Sequence, residues 1–191
     1  MHHIHHTQAI VLEAEAKGES DRSLLLYTQE LGLIYVLARG ARNLKSKLRF
    51  SVQPYSYLHA DIIATKAGWR LGSVQAMSVA GYLSMFQYSA LHKIGKLIKR
   101  LCAGEEKDAA LFPALLEAFE VITKADAPID KVISAELIAV LRLLFHLGYI
   151  TEGIPSAFIS SPMTEEVLRD AGALGPALLR AVNQSLKETM L

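Results

Sequence analysis

A chain of 191 residues with a single cysteine, Cys102, has room for one large domain or two small ones with a real core, and it excludes an internal disulfide and a multi-cysteine zinc site. The formal net charge is only +1, which excludes a globally basic protein and leaves any attraction for a polyanion to a local cluster. Residues 1–80 hold nine Lys/Arg against six Asp/Glu and residues 81–191 hold eleven against thirteen, so the first portion is the cationic one.

The N-terminus lacks a charged region followed by an apolar stretch, so no secretory signal is expected. The most apolar segment, residues 137–150, is too short to span a bilayer and contains Arg142 and His146. A soluble protein of the reducing cytoplasm, with no membrane partner, is the expectation.

In chain order, residues 8–15 read as a first strand, ended by the turn residues Lys17, Gly18, Glu19 and Ser20. Residues 23–28 read as a second strand and 32–39 as a third, in which Leu33, Tyr35 and Leu37 alternate with Ile34, Val36 and Ala38. Residues 55–65 make a fourth and 69–76 a fifth, joined by the hairpin signal Lys66, Ala67 and Gly68. Five short antiparallel strands in this space fit a small closed barrel of the oligonucleotide-binding (OB) type, although pattern alone does not separate it from another small barrel.

Beyond residue 80 the period changes from two to 3.6. In residues 82–103 Phe86, Leu91, Ile94, Leu97, Ile98 and Leu101 line one side of a helix. Residues 109–124 form a second helix, broken by Pro128. Asp130 is placed to cap a third over 131–147, which Gly148 ends. Thr164, followed by Glu165 and Glu166, reads as the N-cap of a further helix, and Pro176 at a first helical position starts a last one to about Thr189. The fold class expected is α+β, an OB-type barrel in residues 1–79 followed by an all-α domain in 80–191.

Between the third and fourth strands lies the strongest signal. Arg39, Arg42, Lys45, Lys47 and Arg49 are five cations in eleven residues with no carboxylate among them. Such a cluster repels itself, so a fold tolerates it best where a polyanion neutralises it, and DNA is the polyanion expected. Cations at irregular spacing contact phosphates without reading bases. A solvated, mobile loop would have the same composition. Tyr27, Tyr35, Phe50, Tyr55, Tyr57 and Trp69 fall in the same strand-rich part. Most of these rings suit a barrel interior, and Trp69 beside Arg70 and Tyr55 after Pro54 are the candidates for stacking on bases.

In the first helix Lys93, Lys96 and Arg100 form a stripe beside the apolar face, with Lys99 at its border. A solvated helix face explains the stripe, and so does a site for an acidic partner peptide. His2, His3, His5 and His6 resemble a tag interrupted by isoleucine; without a carboxylate or cysteine in register they are not read as a metal site, and no cofactor is expected. His59, His92 and His146 are scattered. No Gly-x-Ser-x-Gly, P-loop, HExxH or Rossmann glycine fingerprint is present, the acids Glu13, Glu15, Glu19 and Asp21 have no spacing that assigns acid and base roles, and Cys102 falls on the apolar side of a helix end, where a buried, inert thiol is expected. No enzyme is expected.

The stretch GESDRSLLLYTQELGLIYVLARGARNLKSKLRFSVQPYS resembles the N-terminal domain of the RecO family of bacterial recombination mediators. The resemblance rests on Gly18 and Glu19 with Asp21 and Arg22, then Thr28, Gly32, Val36, Ala38, Gly40, Ala41, Arg42, Ser46, Leu48 and Pro54, in the family's order across about forty residues. More loosely, Leu111 with Phe112 and the run ELIAVLRLLFHLGY at 136–149 resemble the family's helical domain. The resemblance implies an OB barrel before a helical domain, binding of single- and double-stranded DNA, strand annealing, and action with RecR to help RecA replace single-stranded-DNA-binding protein (SSB). It places the DNA-contacting residues on Arg39, Arg42, Lys45, Lys47 and Arg49, with Arg22 and Arg70 beside them, and a location on the nucleoid when DNA is bound. The chain is shorter than typical members and has no cysteine zinc motif in its helical part, so functions that need that region do not follow. Two other readings use the same residues: an adaptor binding an acidic peptide, such as an SSB tail, on Lys93, Lys96, Lys99 and Arg100, and an RNA-binding OB module.

Overall fold

Five strands form where alternation expects them: β1 (Ile4–Lys17), β2 (Asp21–Thr28), β3 (Gly32–Ala38), β4 (Tyr57–Thr65) and β5 (Gly68–Ser78). In the computed structural model, which describes residues 3–102 and 104–188, they close into a barrel in the order β1-β2-β3-β5-β4. This is an OB-type barrel. The alternation is physical: Ala9, Val11, Leu24, Leu26, Ile34, Val36, Leu58 and Ile62 belong to the buried core, while Tyr35 between two of them is exposed.

β1 is long because it serves two neighbours. Its first half pairs with β4, Ile4 opposite Ile63, and its second half pairs with β2 as far as Lys17 opposite Asp21. The register shifts between Val11 and Glu13, a bulge that bends the strand from one partner to the other. The expected all-antiparallel arrangement needs one correction. β3 and β5 run parallel, with Val36 opposite Trp69 and Leu37 opposite Arg70. The β4–β5 hairpin puts β4 against β1, which leaves β5 to close on β3 in the same direction.

The chain divides into two units, Met1–Tyr82 with Cys102–Phe112, and Leu83–Leu101 with Pro113–Leu191. The segment 104–112 therefore groups with the barrel. The Leu33 N–H donates to the Gly104 carbonyl at 3.0 Å, and the Phe112 ring stacks on Tyr27 at 6.0 Å between centroids. Gly32 has φ +64°, and a Cβ there would stand 2.3 Å from the Glu106 carbonyl oxygen, so the turn and the close approach both demand glycine.

Among the described residues five helices follow the barrel strands, and one turn of helix precedes β4. The turn is α1 (Leu48–Ser51); the others are α2 (Met85–Leu101), α3 (Leu111–Thr123), α4 (Ile129–His146), α5 (Ser156–Ser160) and α6 (Glu165–Glu188). In the helical unit α4 packs against α2, α5 and α6. Ser84 and Gln87 form a reciprocal cap on α2: the Ser84 N–H donates to the Gln87 side-chain oxygen at 2.8 Å and the Gln87 N–H donates to the Ser84 hydroxyl at 3.3 Å. The Gln87 amide also donates to the carbonyls of Ile122 and Lys124, which ties the end of α3 to the start of α2.

Several helical expectations change. Pro176 does not start a helix; it lies inside the continuous α6, although an internal proline removes one hydrogen bond and costs about 3 kcal/mol. Thr164 does cap that helix, its hydroxyl accepting from the Val167 N–H at 3.3 Å. Asp130 is not a cap: α4 starts one residue earlier, at Ile129, after an extended Pro128, so Asp130 falls in the first turn. Phe86, expected on the apolar side of α2, is 54% exposed, because that side is occupied by Ala90, Leu91, Ile94 and Ile98. Gly148 ends α4 as expected, with φ +76° and the Tyr149 N–H donating back to the Leu144 carbonyl at 2.8 Å. The expected helix ends at Ala103 and Thr189, and His2, lie outside the described residues.

Candidate nucleic-acid interface

The loop between β3 and β4 is fixed at both ends by residues that belong to the barrel core. Ala41 and Val52 are both fully buried, and Leu48 of α1 packs on the same cluster. Between these anchors the backbone folds in successive turns, Asn43 N–H to the Gly40 carbonyl and Ser46 N–H to the Asn43 carbonyl. The loop is therefore a built surface feature.

Its root is joined to the β1–β2 turn by residues from the motif at 18–22. The Asp21 carboxylate accepts from the Gly40 N–H at 2.8 Å and from the Ser20 hydroxyl at 2.9 Å. These two bonds, with the Arg39 and Lys17 charges behind them, hold Asp21 below its ordinary value of 3.8 against a smaller opposing effect of burial. The Arg42 N–H donates to the Ser20 carbonyl at 2.8 Å, and its guanidinium donates to the Gly18 carbonyl at 2.5 Å. A carbonyl partner orients the guanidinium without cancelling its charge.

Arg39, Arg42, Lys45 and Lys47 are exposed and Arg49 is half-buried. None of the five takes part in an ion pair among the described residues. The reason is visible in the chain, where residues 31–60 contain no aspartate or glutamate at all. Arg70 is brought to the same region by the parallel closure, opposite Leu37 and so two residues from Arg39. Arg22 is half-buried and its guanidinium lies 3.4 Å from the Val52 carbonyl, which makes it a support of the loop as much as a surface cation.

The two rings singled out for stacking are otherwise engaged. Tyr55 is only 6% exposed: it takes φ +68° and its N–H donates to the Val11 carbonyl at 2.6 Å, which turns it into the fold at the β1 bulge. Trp69 is half-buried against the core cluster, its ring meets His5 in a T-shaped contact at 5.3 Å between centroids, and its indole N–H donates to Glu105 at 2.7 Å. Of the six rings named in the strand-rich part, those that face solvent are Tyr35, 58% exposed on β3, and Phe50, 68% exposed on α1. Sequence reasoning named both only as members of a group; the hydrophobic alternation in β3 was the signal that marks Tyr35 as outward.

In the helical unit the cationic stripe is partly spoken for. Lys93 pairs with Glu136 at 3.0 Å, while Lys96, Lys99 and Arg100 are exposed. An apolar groove between α4 and α6, lined by Ile133, Leu137, Val140, Leu179 and Val182, has Lys93 at its edge. Arg142, which sequence reasoning noted only as a charge in an apolar run, is 2% exposed and bonds Glu117 at 2.6 Å and the carbonyls of Phe158 and Ser161. Its role is to knit α3, α4 and the segment around α5.

His3, His5 and His6 lead into or lie within β1. His6 Nδ1 stands 2.6 Å from Asp61, which also accepts from the Ser73 hydroxyl at 2.5 Å. The Ser73 bond first, then His6, holds the Asp61 carboxyl low. The carboxylate sits between hydroxyl and imidazole, so the ring is not placed to take the serine proton as it would in a hydrolase triad. No group of three metal-ligating side chains occurs among the described residues. Cys102 is half-buried rather than fully buried, and burial first, then the Asp108 charge, pushes its thiol up to about 11. No described helix is long and apolar enough to cross a membrane.

Residues 1–83, the barrel with its basic loop, match the family described as Recombination protein O N terminal. Among curated proteins the chain is similar to the DNA repair protein RecO of Heliobacterium modesticaldum, 31% identical over 157 residues, which are 78% of this chain and 53% of that protein. It is similar to the protein of the same name from Trichodesmium erythraeum, 33% identical over 150 residues, 76% of this chain and 51% of that one. A third, from Chlorobium limicola, is 27% identical over 202 residues, 96% of this chain and 76% of that one. The chain thus spans about half the length of the first two relatives and three quarters of the third. With an OB-type barrel, its anchored basic loop and matches that run on into the helical unit, the chain belongs to the RecO family.

Proposed function

We propose that this chain is a DNA-binding recombination protein of DNA repair, which binds single- and double-stranded DNA through the loop on its barrel. The observation that supports this most is the set of five cations between Arg39 and Arg49, held on two core anchors in a stretch where residues 31–60 offer no carboxylate. The proposal extends to strand annealing and to the loading of RecA on SSB-coated DNA together with RecR, which is what RecO family membership suggests for the protein. Affinity depends little on base sequence, because phosphate contacts position a duplex without reading it.

Fluorescence anisotropy with labelled single-stranded and duplex oligonucleotides over a salt series tests the binding. With all five cations on phosphates, log K against log[salt] falls with a slope of about −4.5 on duplex and about −3.5 on single strands. Absence of binding at low salt contradicts the proposal, and stronger competition by RNA than by DNA of the same sequence turns it into an RNA-binding module. Annealing of complementary strands coated with SSB, with and without RecR, tests the mediator role.

A second reading is favoured by the groove between α4 and α6, whose apolar lining suits the apolar end of an acidic peptide, while Lys93 at its edge is already paired with Glu136. Lys96 and Arg100 are the exposed cations available to such an SSB-like tail. Calorimetry with that peptide measures the site, and heat unchanged by Lys96→Glu with Arg100→Glu removes these two residues from it.

A further inference from the structure

α1 is a single turn with two different faces. Leu48 and Val52 are four residues apart, one turn of helix, and both pack on the barrel core. Phe50 lies two residues from each, about 200° round the helix, and is 68% exposed. The turn is held from within, because the Val52 N–H donates to the Leu48 carbonyl at 3.0 Å and the Gln53 side chain reaches the Arg49 carbonyl. The ring is thus aimed outward from a backbone fixed on both sides. The Arg49 guanidinium carbon lies over the ring, 5.8 Å from its centroid.

Leaving a phenylalanine in water forfeits the burial that most such rings obtain. Here it stands in a cationic field, with Lys47 and Arg49 as near neighbours and Leu44, 83% exposed, between Arg42 and Lys45 further up the loop. Charge complementarity selects an anion carrying flat, apolar faces. A protein partner supplying that much negative charge would offer carboxylates but no stacking faces at regular spacing. Unpaired nucleobases offer a π-face at every phosphate, whereas in a duplex those faces are stacked on each other.

We propose that Phe50 is a stacking platform for an unpaired nucleobase, so that the loop separates two jobs: its cations hold any phosphate backbone and Phe50 adds affinity for single strands only. This rests on the DNA-binding reading above and deepens it. Arg49 positions the ring and contacts the neighbouring phosphate. The contribution of Phe50 is independent of salt, because stacking releases no counterions.

The test uses the full chain, its Phe50→Ala, Phe50→Leu and Phe50→Trp variants, and four probes: a single-stranded oligonucleotide, a duplex, single-stranded RNA of the same sequence, and an abasic oligonucleotide with the same number of phosphates. Stacking on one base predicts that Phe50→Ala weakens single-strand binding about five- to tenfold, the lower part of the range for such contacts. The salt slope stays as in wild type, duplex and abasic binding stay within about twofold, Phe50→Trp restores affinity and Phe50→Leu does not. Unchanged single-strand affinity in Phe50→Ala, or an equal loss on duplex and abasic probes, overturns the proposal and leaves the ring to a protein partner. Failure of the wild type to bind any probe instead overturns the DNA-binding reading itself. Equal losses on DNA and RNA support base stacking that ignores the sugar.

Discussion

The basic loop of the barrel and the paired cations of the helical unit show two opposite treatments of positive charge. In the helical unit Lys93 is answered by Glu136 at 3.0 Å, Lys131 by Glu165 at 2.5 Å, and Arg142 by Glu117 at 2.6 Å. On the barrel, Arg39, Arg42, Lys45, Lys47 and Arg49 have no such partner among the described residues, though hydrogen bonds and core anchors hold the loop that bears them. Each unit holds ten Lys/Arg, so abundance is not what separates them or marks a polyanion site. The mark is a cluster that the fold holds in place and leaves uncompensated.

The largest expected effect breaks the comparison from the compensated side. Arg142→Ala leaves Glu117 half-buried without its cation and two carbonyls without a donor, and costs about 3–5 kcal/mol of stability by urea denaturation. The fraction that stays folded keeps its DNA affinity, since the loop is untouched.

The loop gives the converse result. Replacing Arg42, Lys45 and Lys47 together by alanine lowers DNA affinity steeply while costing no more than about 1.5 kcal/mol of stability, the net worth of the one hydrogen bond from Arg42 to the Gly18 carbonyl. At low salt the relief of self-repulsion offsets part of that loss. A melting temperature that falls sharply in this variant would mean that the cations serve the fold.

A smaller effect sharpens the link between loop and barrel. Asp21 is held below its ordinary 3.8 in the folded state, chiefly by the Gly40 N–H, so its contribution to stability is complete above that value and is lost as the pH falls through the lowered one. Asp21→Asn is therefore less stable than wild type at neutral pH, and the difference closes in acid below pH 3.8. A difference that persists undiminished in strong acid would show that the carboxylate charge is not what anchors Gly40.

Much of the barrel was legible because its signals are local. Alternation of Ile34, Val36 and Ala38 with Leu33, Tyr35 and Leu37 marks the two faces of β3, and turn residues separate the strands. The closure was not legible, because β3 and β5 meet through two residue pairs between strands thirty-odd positions apart, and neither strand says which way its neighbour runs. α1 escaped for a different reason: four residues show no period, and Leu48 with Val52 become a core anchor only once the barrel exists. The internal Pro176 misled because local chemistry favours a helix start there, whereas the amphipathic pattern around it continues on both sides. Of the candidate site, the cations were legible as charge without carboxylates. Which rings accompany them was not, since composition cannot tell a buried Tyr55 from an exposed Phe50.

The most direct measurement compares salt slopes of duplex binding for three proteins: wild type, the Arg42/Lys45/Lys47 triple alanine, and a matched Lys93/Lys96/Arg100 triple alanine from the helical unit. An uncompensated loop as the DNA site predicts that the first triple loses about two to three units of slope, near 0.9 per phosphate contact, while the second keeps the wild-type slope. Equal slopes for wild type and the loop variant, or a loss that follows the helical triple instead, would contradict the assignment of DNA to the barrel loop.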